Sequence, residues 1–256
     1  MTGFLRSGVA AVGALLLLST APAAAAAGDL GGGFTVTGGA TLTSDYRFRG
    51  ISQTNKEPAV QGTFTITHSS GFYGTWWGSS IDDYIANGAQ AENDLIVGYQ
   101  KSLGPTTVNG GVLYYWYPGN HGATTDFFEP YFSVAEAVGP FTAKATVNYA
   151  PKQKALNIGN GSEDNLYLAG DLSYAIPKSP VSLTAHLGHT WGPSYLSIGK
   201  EYTDWNVGAS FTHGPLTLGV QYVDTSKKSF SPPSSDHPNG RDISGPGVVG
   251  SIGVAF

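Results

Sequence analysis

The sequence predicts an all-β protein: a transmembrane, antiparallel up-and-down β-barrel of about twelve strands behind a cleaved N-terminal signal peptide. Three observations carry this. Apolar and polar residues alternate with period two, the connections between these runs are short and long in strict succession, and charge is scarce. Only 12% of the 256 residues are Asp, Glu, Lys or Arg, against 36 Gly, 14 Tyr and 5 Trp. That is about half the globular norm of roughly 25%, too little for an ordinary water-soluble surface. The formal net charge is −5 and no Lys/Arg cluster occurs, so the basic footprint that phosphate contact needs is missing and no nucleic acid is expected as a partner. With no Cys, disulfides, thiolate metal sites and a thiol nucleophile are excluded together.

The N-terminus sets the compartment. Arg6 forms a short positive region, Val9 to Leu18 an apolar one, and Ala23 to Ala27 supplies the small residues of a cleavage site. This is the pattern of a secretory signal peptide cut near Ala27, which leaves 28–256 as the mature barrel. The apolar run is too short for a span of about 20 residues.

Along the mature chain, Val36, Ala40, Leu42, Tyr46 and Phe48 share one parity, and Thr35, Thr37, Thr41, Thr43, Asp45, Arg47 and Arg49 the other. One strand from Thr35 to Arg49 is therefore expected. The segment from Phe141 repeats the pattern, as do Leu166 to Ile176, Val181 to His189 and Leu216 to Tyr222. Twelve such runs are centred near Thr41, Thr63, Trp76, Val97, Val112, Phe132, Ala145, Leu168, Ala185, Val207, Leu218 and Ile252. An even number fits a closed barrel whose two ends finish on one side.

Every second connection is a short turn: Ser69 to Gly71, Leu103 to Pro105, Val138 to Pro140, Pro177 to Pro180 and His213 to Pro215. The others are long and polar: Gly50 to Glu57, Asp82 to Asn93, Pro118 to Thr125, Ala150 to Asp164, Gly192 to Lys200 and Thr225 to Gly245. Bacterial outer-membrane barrels segregate their connections in this way, with the short turns in the periplasm. Two aromatic girdles are expected from the same logic. Tyr46, Phe48, Trp116, Phe128, Tyr149, Trp191, Tyr202 and Tyr222 stand at the long-loop ends, and Phe72, Phe141, Tyr174, Phe211 and Phe256 near the short turns. Terminal Phe256, with Val254, Ile252 and Val248 on its face, is similar to the C-terminal aromatic signal by which the barrel-assembly machinery recognises its clients. At about 9–11 residues per tilted strand, twelve strands use roughly half of the mature chain. Eight strands are filled by side chains and 16–18 enclose an aqueous channel, so twelve permits a narrow lumen.

Leu42-Thr43-Ser44-Asp45-Tyr46-Arg47-Phe48-Arg49-Gly50-Ile51-Ser52-Gln53-Thr54 resembles the opening of the TorF-type porins, also called the Gcw_chp family of bacterial proteins. Pro58 to Gly62, Gly71-Phe72-Tyr73, Ser80-Ile81-Asp82 and Gly111 to Pro118 match further. The resemblance covers essentially the mature chain. It implies an outer-membrane barrel of porin type, with no assigned substrate and no site residues to carry over.

The residues themselves nominate a lumen. Asp45, Arg47, Arg49, Lys144, Asp171 and Asp204, with Glu129 and His186, fall on the polar parity, where a charge meets water instead of lipid. In a channel such residues set selectivity and constriction; in a plugged barrel they pair across the interior as a structural network. Arg47 and Arg49 are expected to attract anionic solutes, with Asp45 as a nearby counter-charge. The resulting reading is passive diffusion of small hydrophilic solutes or ions through a Gram-negative outer membrane, with lipid as surroundings and without cofactor, metal or catalytic residue.

Competing readings stay open. A structural or adhesive barrel would conduct nothing and present its long loops to a partner. A lipid hydrolase would draw on His68, His189, Ser69 or Ser70, although no spaced Ser/His/Asp set appears. Gly245 to Gly250 matches a dinucleotide-loop spacing, yet only six residues follow it and no helix can. Asn157 to Asp164 is rich in oxygen donors suited to calcium but lacks EF-hand spacing. Ser226 to Asp242, with Pro232-Pro233, reads as a surface loop able to fold inward over the mouth.

Overall fold

A computed structural model describes residues 28–159, 161–233 and 237–256. The expected signal peptide, 1–27, lies outside the described residues. Fifteen strands follow in chain order: β1 (Gly28–Gly31), β2 (Phe34–Thr43), β3 (Arg47–Phe48), β4 (Ile51–Ser52), β5 (Ala59–His68), β6 (Phe72–Ser80), β7 (Ala91–Leu103) and β8 (Thr106–Trp116). Then come β9 (Phe127–Val138), β10 (Phe141–Gln153), β11 (Glu163–Ala175), β12 (Val181–Trp191), β13 (Tyr202–His213), β14 (Leu216–Thr225) and β15 (Gly247–Ala255). Twelve of them, β2 and β5 to β15, pair antiparallel in sequence order, and β2 pairs with both β5 and β15. The sheet is therefore a closed barrel, and each of the twelve centres read from the sequence falls on one of its strands.

Closure lets every strand satisfy its backbone within the sheet, which is what spanning hydrocarbon demands. The outward side chains fit that surrounding. Leu42, Val60, Val97, Phe132, Leu168, Leu187, Val220 and Ile252 are exposed around the outside, while Thr65, Thr75, Asn109, Thr146, Asn148, Asn165, Asn206 and Gln221 are buried within. Such a continuous apolar belt would be unfavourable in water at about 25 cal/mol per Å² and is the surface of a lipid-facing barrel. Among the described residues no helix is long and apolar enough to cross a membrane.

The seam has a feature the sequence pattern did not predict. Strand β15 covers only Gly39 to Thr43 of β2, and Phe256 adds two backbone hydrogen bonds to Gly38, N to O at 2.9 Å and O from N at 2.8 Å. Beyond that point β1 folds back and pairs with Phe34 to Val36, so the remaining edge of β2 is not left bare. An uncovered edge would present unpaired amides and carbonyls to lipid or to another chain.

Six long loops gather at one end: L1 (44–58), L2 (81–90), L3 (117–126), L4 (154–162), L5 (192–201) and L6 (226–246). L1 corrects the sequence reading. The strand expected to run from Thr35 to Arg49 stops at Thr43, where Ser44 donates its amide to the Gly250 carbonyl (2.9 Å). The chain then turns into the barrel mouth as the β3–β4 hairpin. The girdles are corrected accordingly. Trp116, Phe128, Tyr149, Trp191 and Tyr222 are exposed at the loop ends, and Phe72, Phe141, Phe211 and Phe256 at the turn ends, with Tyr174 half-buried against the Phe141 ring. Tyr46 and Tyr202, in contrast, are buried, and Phe48 packs edge-on against Tyr115 in the interior. Parity identifies a face only while a strand continues, and Tyr46 and Phe48 lie past its end.

Candidate functional site

The β3–β4 hairpin places L1 inside the mouth. Its two-residue turn, Arg49-Gly50, has positive φ at both positions, 47° and 78°. That is the backbone sense of the type I′ hairpin turns, whose twist matches the flanking strands. Gly50 meets this requirement freely, but a non-glycine residue there is strained by about 1–3 kcal/mol. Arg49 is held by what surrounds it. Its Nη2 lies 2.7 and 2.8 Å from the two Glu129 carboxylate oxygens on β9, and Nη1 donates to Asn165 Oδ1 on β11 at 3.1 Å. The guanidinium carbon stands 4.1 Å from the Tyr167 ring centroid and 4.8 Å from that of Phe48, a stacking geometry that arginine favours. Tyr202 donates its hydroxyl to the Arg49 carbonyl at 3.0 Å. Burial opposes the charge of Arg49, but the Glu129 carboxylate more than offsets this and holds the guanidinium above its ordinary pKa.

Arg47 has a different task. Its Nε donates to Asp45 Oδ2 (2.5 Å), and Nη1 donates to the carbonyls of Gly50 (2.9 Å), Ile243 and Gly245 (both 3.2 Å). Asp45 also accepts from Ser52 Oγ at 2.6 Å. Arg47 thus fastens L6 onto L1. On L6 itself, burial works against the Asp242 carboxylate, but the amides of Gly245 and Ser244 donate to it and keep its pKa below the usual value. Arg241 reaches across from L6 to the Asn55 carbonyl (2.8 Å) and the Glu57 carboxylate (2.5 Å). The expectation that this segment folds inward over the mouth holds for its described part.

The other nominated residues form a second network on the inner faces of β10 to β13. Lys144 Nζ lies 3.3 Å from Asp171, His186 Nδ1 lies 2.8 Å from Asp171, and His186 Nε2 lies 3.1 Å from Asp204. Tyr167 donates its hydroxyl to Asp204 at 3.1 Å. Because Arg49 stacks on the Tyr167 ring, the two networks touch. The eight residues picked out by parity are therefore brought together, Asp45 and Arg47 at the L1–L6 junction and the rest in one chain of contacts from Glu129 to Lys144. A glycine makes room for it: a Cβ at Gly188 would overlap the Tyr167 hydroxyl and approach Asp204 Oδ2 at 2.9 Å. Gly188→Val is expected to lower the stability of the folded barrel by about 1–3 kcal/mol through overpacking, read as a lower urea midpoint in lipid vesicles. An unchanged midpoint would show that Tyr167 moves aside without loss.

Sequence reasoning missed Glu92, which it left in the second long loop, and Asp94, which stands just past that loop's end and was not nominated. Strand β7 starts at Ala91, so both lie on its inner face beside Ile96. Extending the period-two pattern back from Val97 through Leu95 and Asn93 would have found them. Tyr46 donates its hydroxyl to Glu92 at 3.1 Å, and Tyr115 donates to Glu129 at 3.2 Å while stacking on Phe127 with centroids 4.2 Å apart. Above these residues all six loops enclose a cavity of about 470 Å³.

The rival sites find less support. His68 Nδ1 lies 2.7 Å from Ser70 Oγ, but the ring packs on Phe34 and, among the described residues, no carboxylate orients it. His189 pairs with Thr203 (2.7 Å) and lies against Trp191. Gly247 to Gly250 belongs to β15 rather than to a phosphate loop. In the oxygen-rich L4 segment, Asn157 Oδ1 accepts from the Gly159 amide (2.6 Å) and Asp164 accepts from Tyr149 (2.9 Å).

Comparison with known proteins adds the fold's relatives. Residues 26–237 match a family described as "Bacterial protein of unknown function (Gcw_chp)". Comparison with curated proteins finds no match. The NanC porin is 12% identical in sequence, with 86% of this chain and 98% of that one superposed at a TM-score of 0.57. The KdgM porin, solved in complex with disordered oligogalacturonate, is 9% identical, with 86% and 97% covered at 0.54. At these identities the likeness is one of fold, and it places the barrel among those of outer-membrane porins.

Proposed function

The chain belongs to the Gcw_chp family of bacterial proteins, and on that premise we propose that it is a porin-like channel of the outer membrane. Small hydrophilic solutes and ions diffuse through its lumen at a mouth narrowed by L1. The observation that carries this reading is the contrast between faces: an apolar belt outside and an inner wall of charges, amides and hydroxyls. A barrel kept only as a membrane anchor has no need of five carboxylates on its inner strands. The TorF-type resemblance of the first strand and loop supports the same reading, and outer-membrane lipid and barrel assembly through Phe256 are the partners it entails.

Of the eight nominated residues, we assign closure of the mouth to Asp45, Arg47 and Arg49, whose charges are spent on one another, on Glu129 and on backbone carbonyls. Lumen charge then falls to Lys144, Asp171, His186 and Asp204, together with Glu92 and Asp94, since Glu129 is paired with Arg49. Carboxylates dominate, and rings of Asp and Glu favour cations. The expected result in a planar bilayer under a potassium chloride gradient is discrete conductance steps with a reversal potential displaced toward that of potassium. Steps displaced toward chloride would return selectivity to the arginines. Silence from demonstrably folded protein would favour the non-conducting structural barrel.

A further inference from the structure

The cavity above the lumen has a wall chemistry of its own. Phe48, Tyr84, Tyr117, Phe127, Tyr195 and Tyr202 contribute aromatic rings to it, and its 470 Å³ is within the roughly 300–1,000 Å³ of small-molecule sites. One carboxylate, Glu92, opens onto it from β7 at 2% exposure. Two residues along the same inner face is Asp94, fully buried, and both of its carboxylate oxygens lack a hydrogen-bond partner. Among the described residues, no Lys, Arg or His forms an ion pair with either carboxylate. Arg47 and Arg49, the buried cations of the hairpin, are committed to Asp45 and Glu129. Lys154 also lines the cavity and is exposed to solvent.

A buried carboxylate without a counter-charge is costly, and the cost is relieved either by taking up a proton or by positive charge from outside the chain. The walls say what kind. Among the described residues no group of three His, Cys, Asp or Glu is arranged to hold a metal ion, and aromatic walls offer a bare metal few oxygen ligands. A cationic head on an apolar body is satisfied on both counts, by carboxylate attraction and by the faces of the rings. We propose that this vestibule is a binding site for a small organic cation, an amine or quaternary ammonium of about ten heavy atoms, with its charge at Glu92 and its apolar body among the aromatic rings. The proposal deepens the channel reading by naming the class of solute concentrated at the mouth, but the binding step itself requires no conduction.

The test uses the protein refolded in detergent and titrated calorimetrically with 2-phenylethylammonium, its neutral counterpart 2-phenylethanol, and the anion phenylacetate. The expected result is saturable one-to-one binding of the ammonium, at least tenfold tighter than the alcohol, with no binding of the anion. Glu92→Gln is expected to weaken ammonium binding at least tenfold while leaving affinity for the alcohol unchanged. Should that variant fail to refold, Ala86→Trp, which fills the cavity from L2 and leaves the carboxylates in place, is expected to abolish binding of both. Equal affinity for the ammonium and the alcohol, or undiminished binding in the Ala86→Trp protein, would overturn the proposal. Potassium conductance without ammonium binding would sink the site and spare the channel; binding by a barrel that carries no current would do the reverse.

Discussion

Arg49→Asn is expected to raise single-channel conductance at least twofold and to lower the urea midpoint of the barrel. Asparagine is chosen because Asn-Gly is the preferred pair for a type I′ turn. The hairpin tip therefore keeps its backbone, indeed with less strain than arginine imposes at φ 47°, and only the side chain's attachments are lost. Those attachments are the two contacts to Glu129, the bond to Asn165 and the stacking on Tyr167. Glu129, fully buried, would retain Tyr115 and Asn148 as donors but lose its counter-charge. Removing one partner of a buried pair costs about 3–5 kcal/mol. Part of that is recoverable if L1 lifts out and water reaches Glu129, which is also the movement that widens the mouth. The second substitution Glu129→Gln should therefore restore stability in the double variant, as a coupled pair requires. Arg49→Lys keeps the charge but not the planar fork and should fall between the two. If conductance and midpoint both stay at the parental values in Arg49→Asn, L1 is not held by this pair and the constriction lies elsewhere.

Leu168→Arg is expected to destabilise the barrel by about 2–4 kcal/mol in lipid vesicles, whereas Leu216→Arg costs no more than about 1 kcal/mol. Both leucines are exposed on the outer face. Leu168 is near the middle of β11, while Leu216 is the first residue of β14, beside a short turn where an arginine can reach headgroups. The two substitutions add the same charge to sites that are both exposed on the outer face, so a difference between them measures depth in hydrocarbon. Equal and small effects would mean that the belt around Leu168 is not facing lipid, and the membrane-spanning reading would fail with them.

The strand count, the closed antiparallel order and the separation of short turns from long loops were all legible in the sequence. The reason is physical: a lipid-facing barrel has only two environments, and period-two alternation records which one each residue meets. Leu166, Leu168 and Leu172 read as outward, and Asp171 as inward, because β11 continues unbroken through them. The same rule brought Lys144, Asp171, His186 and Asp204 to one wall, since registers such as Lys144↔Asp171 and Asp171↔His186 follow once the strands pair.

What lay beyond the strands was decided only in three dimensions. Nothing local marks Thr43 as an end, and Arg47 and Arg49 continue the alternation as if the strand did. Their placement depends on partners 80 to 198 residues away, Glu129, Asn165, Ile243 and Gly245. No local pattern encodes such separations, because they are set by barrel closure and by which loops share the mouth. The unpaired state of Glu92 and Asp94 is of the same kind. The sequence placed acids near a strand's start, but only the folded interior determined that the hairpin's arginines were already engaged, leaving Glu92 to open onto a cavity walled by aromatic rings with Asp94 buried behind it.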